Sequence, residues 1–263
     1  MWICLEVIEI FAENRQNLIY ERIQTLGAVM TADLVSEFQV SVETIRRDLL
    51  QMEKSGLLKR VHGGAVKNSD MKRFVSLEER NKAFSNEKRE LSSVAMRFIQ
   101  EDDVIFVDAG STAICFAQLL KEKFSSLTVV THSVDVFQIL CEKKGFHLIL
   151  CGGHFLKEEN AFYGALALDM LEKLHVQKAF VFPSAVSIEF GICDYQAELF
   201  QIQKQVLKCA DEIFVLADSS KFEKKALLKL DDMKNDYRFI TDSALPNGLE
   251  MLYRENDIKI IKE

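Results

Sequence analysis

The sequence predicts an α/β protein in two parts, a small N-terminal winged helix-turn-helix followed by a larger α/β domain. Three observations carry that prediction. At 263 residues the chain exceeds one average domain of about 100–200 residues. Residues 15–66 show helical apolar spacing closed by a basic, glycine-broken tail. Beyond residue 87, short and continuously apolar runs alternate with amphipathic stretches, the pattern of a parallel sheet covered on both faces. The boundaries read as an N-terminal extension over 1–14, a winged head over 15–66, a polar linker over 67–86 and an α/β domain over 87–263.

Composition narrows the class. Apolar residues make up 48% and charged residues 28%, with 2 prolines, which suits a folded chain and excludes fibrous or largely disordered ones. The net charge of -7 argues against a surface that coats nucleic acid or anionic membrane. Its distribution is uneven: residues 14–67 hold 8 Lys and Arg against 6 Asp and Glu, so a slightly basic head sits on an acidic body. The 6 cysteines include no Cys-x-x-Cys pair and no Cys/His cluster. Buried thiols in a reducing cytosol are expected, with neither a metal site nor a cofactor. The opening "MWICLEVIEIF" carries Glu6 and Glu9 and lacks a basic first region. It is shorter than the about 20 residues that span a bilayer, so the expectation is a cytoplasmic protein without a membrane partner.

In the head, Leu18, Ile19, Ile23 and Leu26 fall at helical spacing and Gly27 supplies a left-handed stop. Thr31 is placed to cap a second helix with the apolar stripe Leu34, Val35 and Phe38. After a tight turn through Gln39 and Val40, Ser41 is placed to cap a third. There Ile45, Leu49 and Met52 face the core, which puts Thr44, Arg47, Asp48 and Gln51 outward and Arg46 and Glu43 at the edges. Gly56 stops the helix, and "LLKRVHGGAV" alternates basic and apolar residues around Gly63 and Gly64 as a short hairpin, the wing.

A helix offering Ser41, Thr44, Arg46 and Arg47 at its amino end fits the DNA major groove, where the arginine fork matches guanine's two acceptors. Lys59, Arg60 and His62 of the wing are placed to hold the neighbouring backbone. The alternative is a solvated or protein-binding face whose arginines pair with Glu43 or Asp48.

In the body, strands are predicted at 104–109, 127–131, 146–151, 178–183, 212–217, 237–241 and 258–261. Asp108 ends the first, Gly110 permits a tight turn, and Ser111 and Thr112 open a helix whose exposed N–H groups favour an anion. Thr131, His132 and Ser133 repeat the arrangement. Gly152 and Gly153 follow a third strand, and Asp218, Ser219 and Lys221 follow a later one. All lie at carboxyl ends of parallel strands, where open α/β sheets bind ligands. For each turn alone, helix capping explains the hydroxyls equally well.

The blocks "TIRRDL" and "RVHGGA", at 44–49 and 60–65, resemble the signature of the DeoR-type bacterial transcription regulators. "DAGST", "VVTHS", "CGG", "YG", "FG" and "LADSSKF" follow in the order of that family's sensor domain, so the resemblance runs from about Arg15 to Ser243. It departs at His132, where Asn is usual, at Ala165, where Pro is usual, and in "PSAVSIEFG", which lacks a usual glycine. The resemblance implies a sensor fold related to ribose-5-phosphate isomerase and CoA transferases. It also implies double-stranded operator DNA and a phosphorylated sugar or related metabolite as partners, and a carbohydrate operon as the target, most simply repressed. Carried over by motif, Asp108, Gly110, Ser111, Thr112, Thr131, Ser133, Gly152, Gly153 and Lys221 line the effector pocket. A symmetric homo-oligomer on a repeated operator is the expected form. The rival is an isomerase or acyl-transfer enzyme recruiting Asp108, Asp218 and Lys221, for which the sequence offers no independent catalytic signature.

Overall fold

The computed structural model describes residues 15, 16, 18–20, 22, 23, 26–54, 58–61, 63–67 and 76–262. They fall into two compact units, Met1–Val75 and Ser76–Glu263.

The first unit opens with the helical residues 15, 16, 18–20, 22, 23 and 26, which belong to α1. Ile19 and Ile23 are fully buried, whereas Leu18 and Leu26, which share their helical spacing, are exposed. Gly27, at φ +78°, closes the helix by donating its N–H to the Ile23 carbonyl at 2.9 Å. A strand that the sequence did not suggest follows, β1 (Ala28–Met30). Thr31 is not the cap of α2 (Thr31–Phe38) but its first residue. The reason lies in the wing, because the Thr31 N–H donates to the Gly63 carbonyl at 2.8 Å.

Gln39, left-handed at φ 51°, ends α2. Ser41 then caps α3 (Val42–Lys54), its Oγ accepting from the Thr44 N–H at 3.2 Å. Ile45, Leu49 and Met52 pack with Ile19, Ile23 and Leu34 as predicted. Asp48, expected outside, is 4% exposed. Its carboxylate accepts from Arg15 Nε at 2.6 Å and Gln16 Nε2 at 3.1 Å, which pins α3 to the start of α1. The wing is β2 (Leu58–Val61) against β3 (Gly64–Lys67), with β1 on the other side of β3. Gly64 is required there, since a Cβ would stand 2.1 Å from the Val29 carbonyl oxygen. The predicted stop at Gly56 lies outside the described residues.

The second unit begins earlier than the α/β domain read from sequence. Residues 77–82, assigned to a linker, form α4 (Leu77–Lys82), capped by Ser76 Oγ on the Glu79 N–H at 3.2 Å. After α5 (Ser85–Ala95) the order is β4 (Val104–Val107), α6 (Ser111–Lys123), β5 (Leu127–Thr131), α7 (Val134–Leu140), β6 (Phe146–Leu150), β7 (His154–Leu156), β8 (Ala161–Tyr163) and α8 (Ala165–Leu171). There follow β9 (Val176–Val181), β10 (Ala185–Ser187), β11 (Gly191–Asp194), α9 (Ala197–Cys209), β12 (Ala210–Leu216), β13 (Leu228–Asp231), β14 (Arg238–Ile240), α10 (Asn247–Glu255) and β15 (Ile260–Ile261).

Seven strands form one wholly parallel sheet in the order β15-β14-β12-β9-β4-β5-β6. They are the seven that the apolar runs predicted. Alternate strand residues feed opposite cores. Ile105 and Val107 pack with Leu91, Phe116 and Leu140, beneath α5, α6 and α7. Phe106 packs with Leu171, Ile202 and Tyr253, beneath α8, α9 and α10. Two smaller sheets, β7-β8 and β10-β11-β13, are antiparallel additions that short, mixed-polarity segments did not announce. No helix among the described residues is long and apolar enough to cross a membrane.

Candidate functional site

The head places its polar candidates on one end of α3. Ser41 Oγ and Thr44 Oγ1 are 2.9 Å apart, and Arg46 and Arg47 are exposed on the turn that follows. Arg46 pairs with Glu43 at 2.8 Å, with both side chains more than half exposed. Such a surface pair holds its partners weakly, so it leaves Arg46 available to a stronger acceptor. Arg47 makes no hydrogen bond or ion pair with any described residue. In the wing Lys59 is exposed, while Arg60 is tethered to α3: its N–H donates to Glu53 Oε1 at 2.7 Å and its guanidinium stands 3.9 Å from Oε2. His62 lies outside the described residues.

In the second unit the adjacent carboxyl ends of β9, β4 and β5 build a buried polar centre around Asp108. That carboxylate is 0% exposed and accepts from the Ala109 N–H at 2.8 Å, Gln203 Nε2 at 3.0 Å and the Phe182 N–H at 3.4 Å. His132 Nε2 lies 2.9 Å from its Oδ1, and His132 Nδ1 lies 2.9 Å from the Phe162 carbonyl, so both ring nitrogens face acceptors. Gln203 Nε2 also reaches Asp194 Oδ2 at 3.1 Å. Asp108 is thus saturated by the protein and ties the ends of these strands together. Thr131 and Ser133 are likewise occupied: Thr131 Oγ1 donates to the Val107 carbonyl at 2.7 Å, and Ser133 Oγ caps α7 through the Val136 N–H at 3.3 Å.

The β4–α6 turn is different. Gly110, at φ +116°, precedes the open first turn of a 13-residue helix. Ser111 is 8% exposed, and Thr112 is 1% exposed with a hydroxyl that has no partner among the described residues. Two strands away from β4, Gly152 has open space where a Cβ would sit, while Gly153 is packed against the Tyr163 carbonyl.

Three cations lie close enough to act on one another, and one of them, Arg80, stands at this turn. Lys221, in a short 3-10 turn after β12, donates to the Pro183 carbonyl at 2.8 Å. Burial pushes its ammonium down from the usual lysine range, against the pull of Asp218 and Asp194. Lys88 of α5 is 4% exposed, and burial, followed by the Lys221 charge, pushes it down to about 8. Arg80 of α4 places Nη1 within 3.9 Å of the position a Cβ on Gly110 would occupy. Sequence reasoning missed Arg80 and Lys88. For Lys88 a signal existed, since it shares a helical face with the buried Leu91, Ser92 and Ala95. For Arg80 there was none, because its position depends on a turn far along the chain. Among the described residues no His, Cys, Asp and Glu group is arranged to hold a metal ion.

Comparison with known proteins agrees with this division. Residues 15–71 match the DeoR-like helix-turn-helix domain, and residues 83–243 match the DeoR C terminal sensor domain. The L-fucose operon activator of Haemophilus influenzae is 30% identical over 247 residues, covering 94% of this chain and 98% of that protein. A lactose phosphotransferase system repressor of Lactococcus lactis is 32% identical over 241 residues, covering 90% and 94%. Among solved structures, a D-ribose-5-phosphate isomerase in complex with phospho-erythronic acid aligns with 52% of this chain and 54% of its own, at 20% identity and a TM-score of 0.40. With both domains matched in order and full-length relatives at this identity, the chain belongs to the DeoR family of transcriptional regulators.

Proposed function

We propose that this regulator represses a carbohydrate operon, reading operator DNA with α3 and the wing and releasing or adjusting it when a phosphorylated sugar binds over the β4–α6 turn. One observation carries the effector half of this reading: Arg80 stands at the open amino end of α6 within electrostatic reach of Lys88 and Lys221, and Thr112 there has a buried hydroxyl without a partner among the described residues. Positive charge, free N–H groups and a hydroxyl together suit a phosphate. The relatives named as repressors of lactose and aga systems support the target class. Ser41, Thr44, Arg46, Arg47, Lys59, Arg60 and His62 form the proposed DNA contacts, on a symmetric homo-oligomer. An isomerase reading is weaker, because its candidate base Asp108 is already held by backbone, Gln203 and His132.

Lys221→Ala is expected to leave operator affinity intact while moving the sugar-phosphate dose curve at least about tenfold to the right, the loss of one charge-assisted contact. An unaltered dose curve removes Lys221 from the pocket. The same site predicts a pH dependence. A bound dianion favours the charged form of Lys88, so binding takes up a proton where the free lysine has begun to lose it, around its pKa of about 8. Phosphate monoesters, with a second pKa of about 6, are already dianionic there. Affinity should therefore fall as pH rises from about 7 to 9, with proton uptake visible as a dependence of the calorimetric heat on the buffer's ionisation enthalpy. Heat independent of buffer would contradict it.

A further inference from the structure

Helix α4 is the first element of the second unit, where the chain coming from the head joins it. It has six residues and none of them is buried. Isolated helices shorter than about 12–15 residues are marginal in water, so α4 depends on its polar anchors. Arg80 Nη2 meets the two oxygens of Glu159 at 2.5 and 2.6 Å. Glu159 is 3% exposed and sits in the β7–β8 turn, which is held by left-handed Asn160 (φ 47°) and the bond from Asn160 Nδ2 to Asp135 at 2.8 Å. At the other end of α4, the Lys88 ammonium donates to the carbonyls of Arg80 and Ala83, completing the helix C-terminus. Both of these ties of α4 to the rest of the unit are made by cations of the cluster that includes Lys221.

The three cations repel one another, the Lys221 and Arg80 charges both pushing the Lys88 ammonium down, against the pull of the neighbouring carboxylates Glu159, Asp218, Asp194 and Asp108. An anion placed among them converts that repulsion into attraction. We propose that α4 is an anion-dependent clasp: a phosphate group bound over Gly110–Thr112 ties Arg80 and Lys88 to the body, orders α4, and so fixes the segment through which the head is attached. The inference rests on the phosphate-binding reading above. It makes Arg80 a positioning residue whose ligand contact is felt at the domain junction.

Hydrogen exchange on the full chain, with inorganic phosphate against chloride at equal ionic strength, tests this alongside calorimetric phosphate binding. The Arg80 and Ala83 amides, which donate to the Ser76 and Glu79 carbonyls at 2.9 and 3.1 Å, should exchange about tenfold more slowly in phosphate. Arg80→Ala, and the milder Arg80→Lys, should remove most of that phosphate-dependent protection. A purely structural arginine would instead shift exchange equally with and without phosphate. Phosphate binding with unchanged α4 exchange overturns the clasp and leaves the phosphate site standing; absence of phosphate binding overturns both.

Discussion

Asp108→Ala is expected to destabilise the second unit by about 3–5 kcal/mol, the range for removing one partner from a buried charged network. The carboxylate is fully buried and gathers two backbone N–H groups, the Gln203 amide and the His132 ring. Its loss strands the His132 nitrogen and both N–H groups where water does not reach, and each stranded donor costs about 1–3 kcal/mol. Asp108→Asn, which keeps the shape and part of the acceptor capacity, should cost less. Urea unfolding of the full chain reads both variants. A loss below about 1 kcal/mol for Asp108→Ala would mean that the network is reached by solvent and does not tie the strand ends together.

The second large effect lies in the head. Arg47→Ala should cost about 1–3 kcal/mol in operator binding and do so unequally across operator variants, as expected for a guanidinium that reads a base edge. Arg47 is exposed and has no partner among the described residues, so its removal leaves the fold of the head intact. Arg46→Ala should cost less, since Glu43 already competes for it at 2.8 Å. A loss of equal size on every duplex would reassign Arg47 to a phosphate contact.

The sheet was legible because its central strands are buried on both faces over most of their length and therefore read as largely apolar runs, as in "VIFV", "LTVVT" and "EIFVL". The caps were legible only in part. Ser41 caps α3 as its spacing suggests, whereas Thr31 is drawn into the wing by Gly63. Asp48 shows the limit of periodicity, since a charged residue at the edge of an apolar face can be buried by a partner, here Arg15, that lies 33 residues away. The candidate site shows the same limit. Its strand-end turns stand out in sequence, but Thr131 and Ser133 prove to be committed to the fold, and the cations that best suit an anion come from α4 and α5, a stretch read partly as linker.

The central claim is that DNA reading by the head answers to an anion bound in the body. Fluorescence anisotropy of the full chain on its own upstream DNA, against a scrambled duplex at fixed salt and across a panel of sugar phosphates, tests it most directly. The account predicts preferential binding to the upstream duplex, shifted by one sugar phosphate and not by its unphosphorylated sugar. Preferential binding that no phosphorylated ligand moves would contradict it.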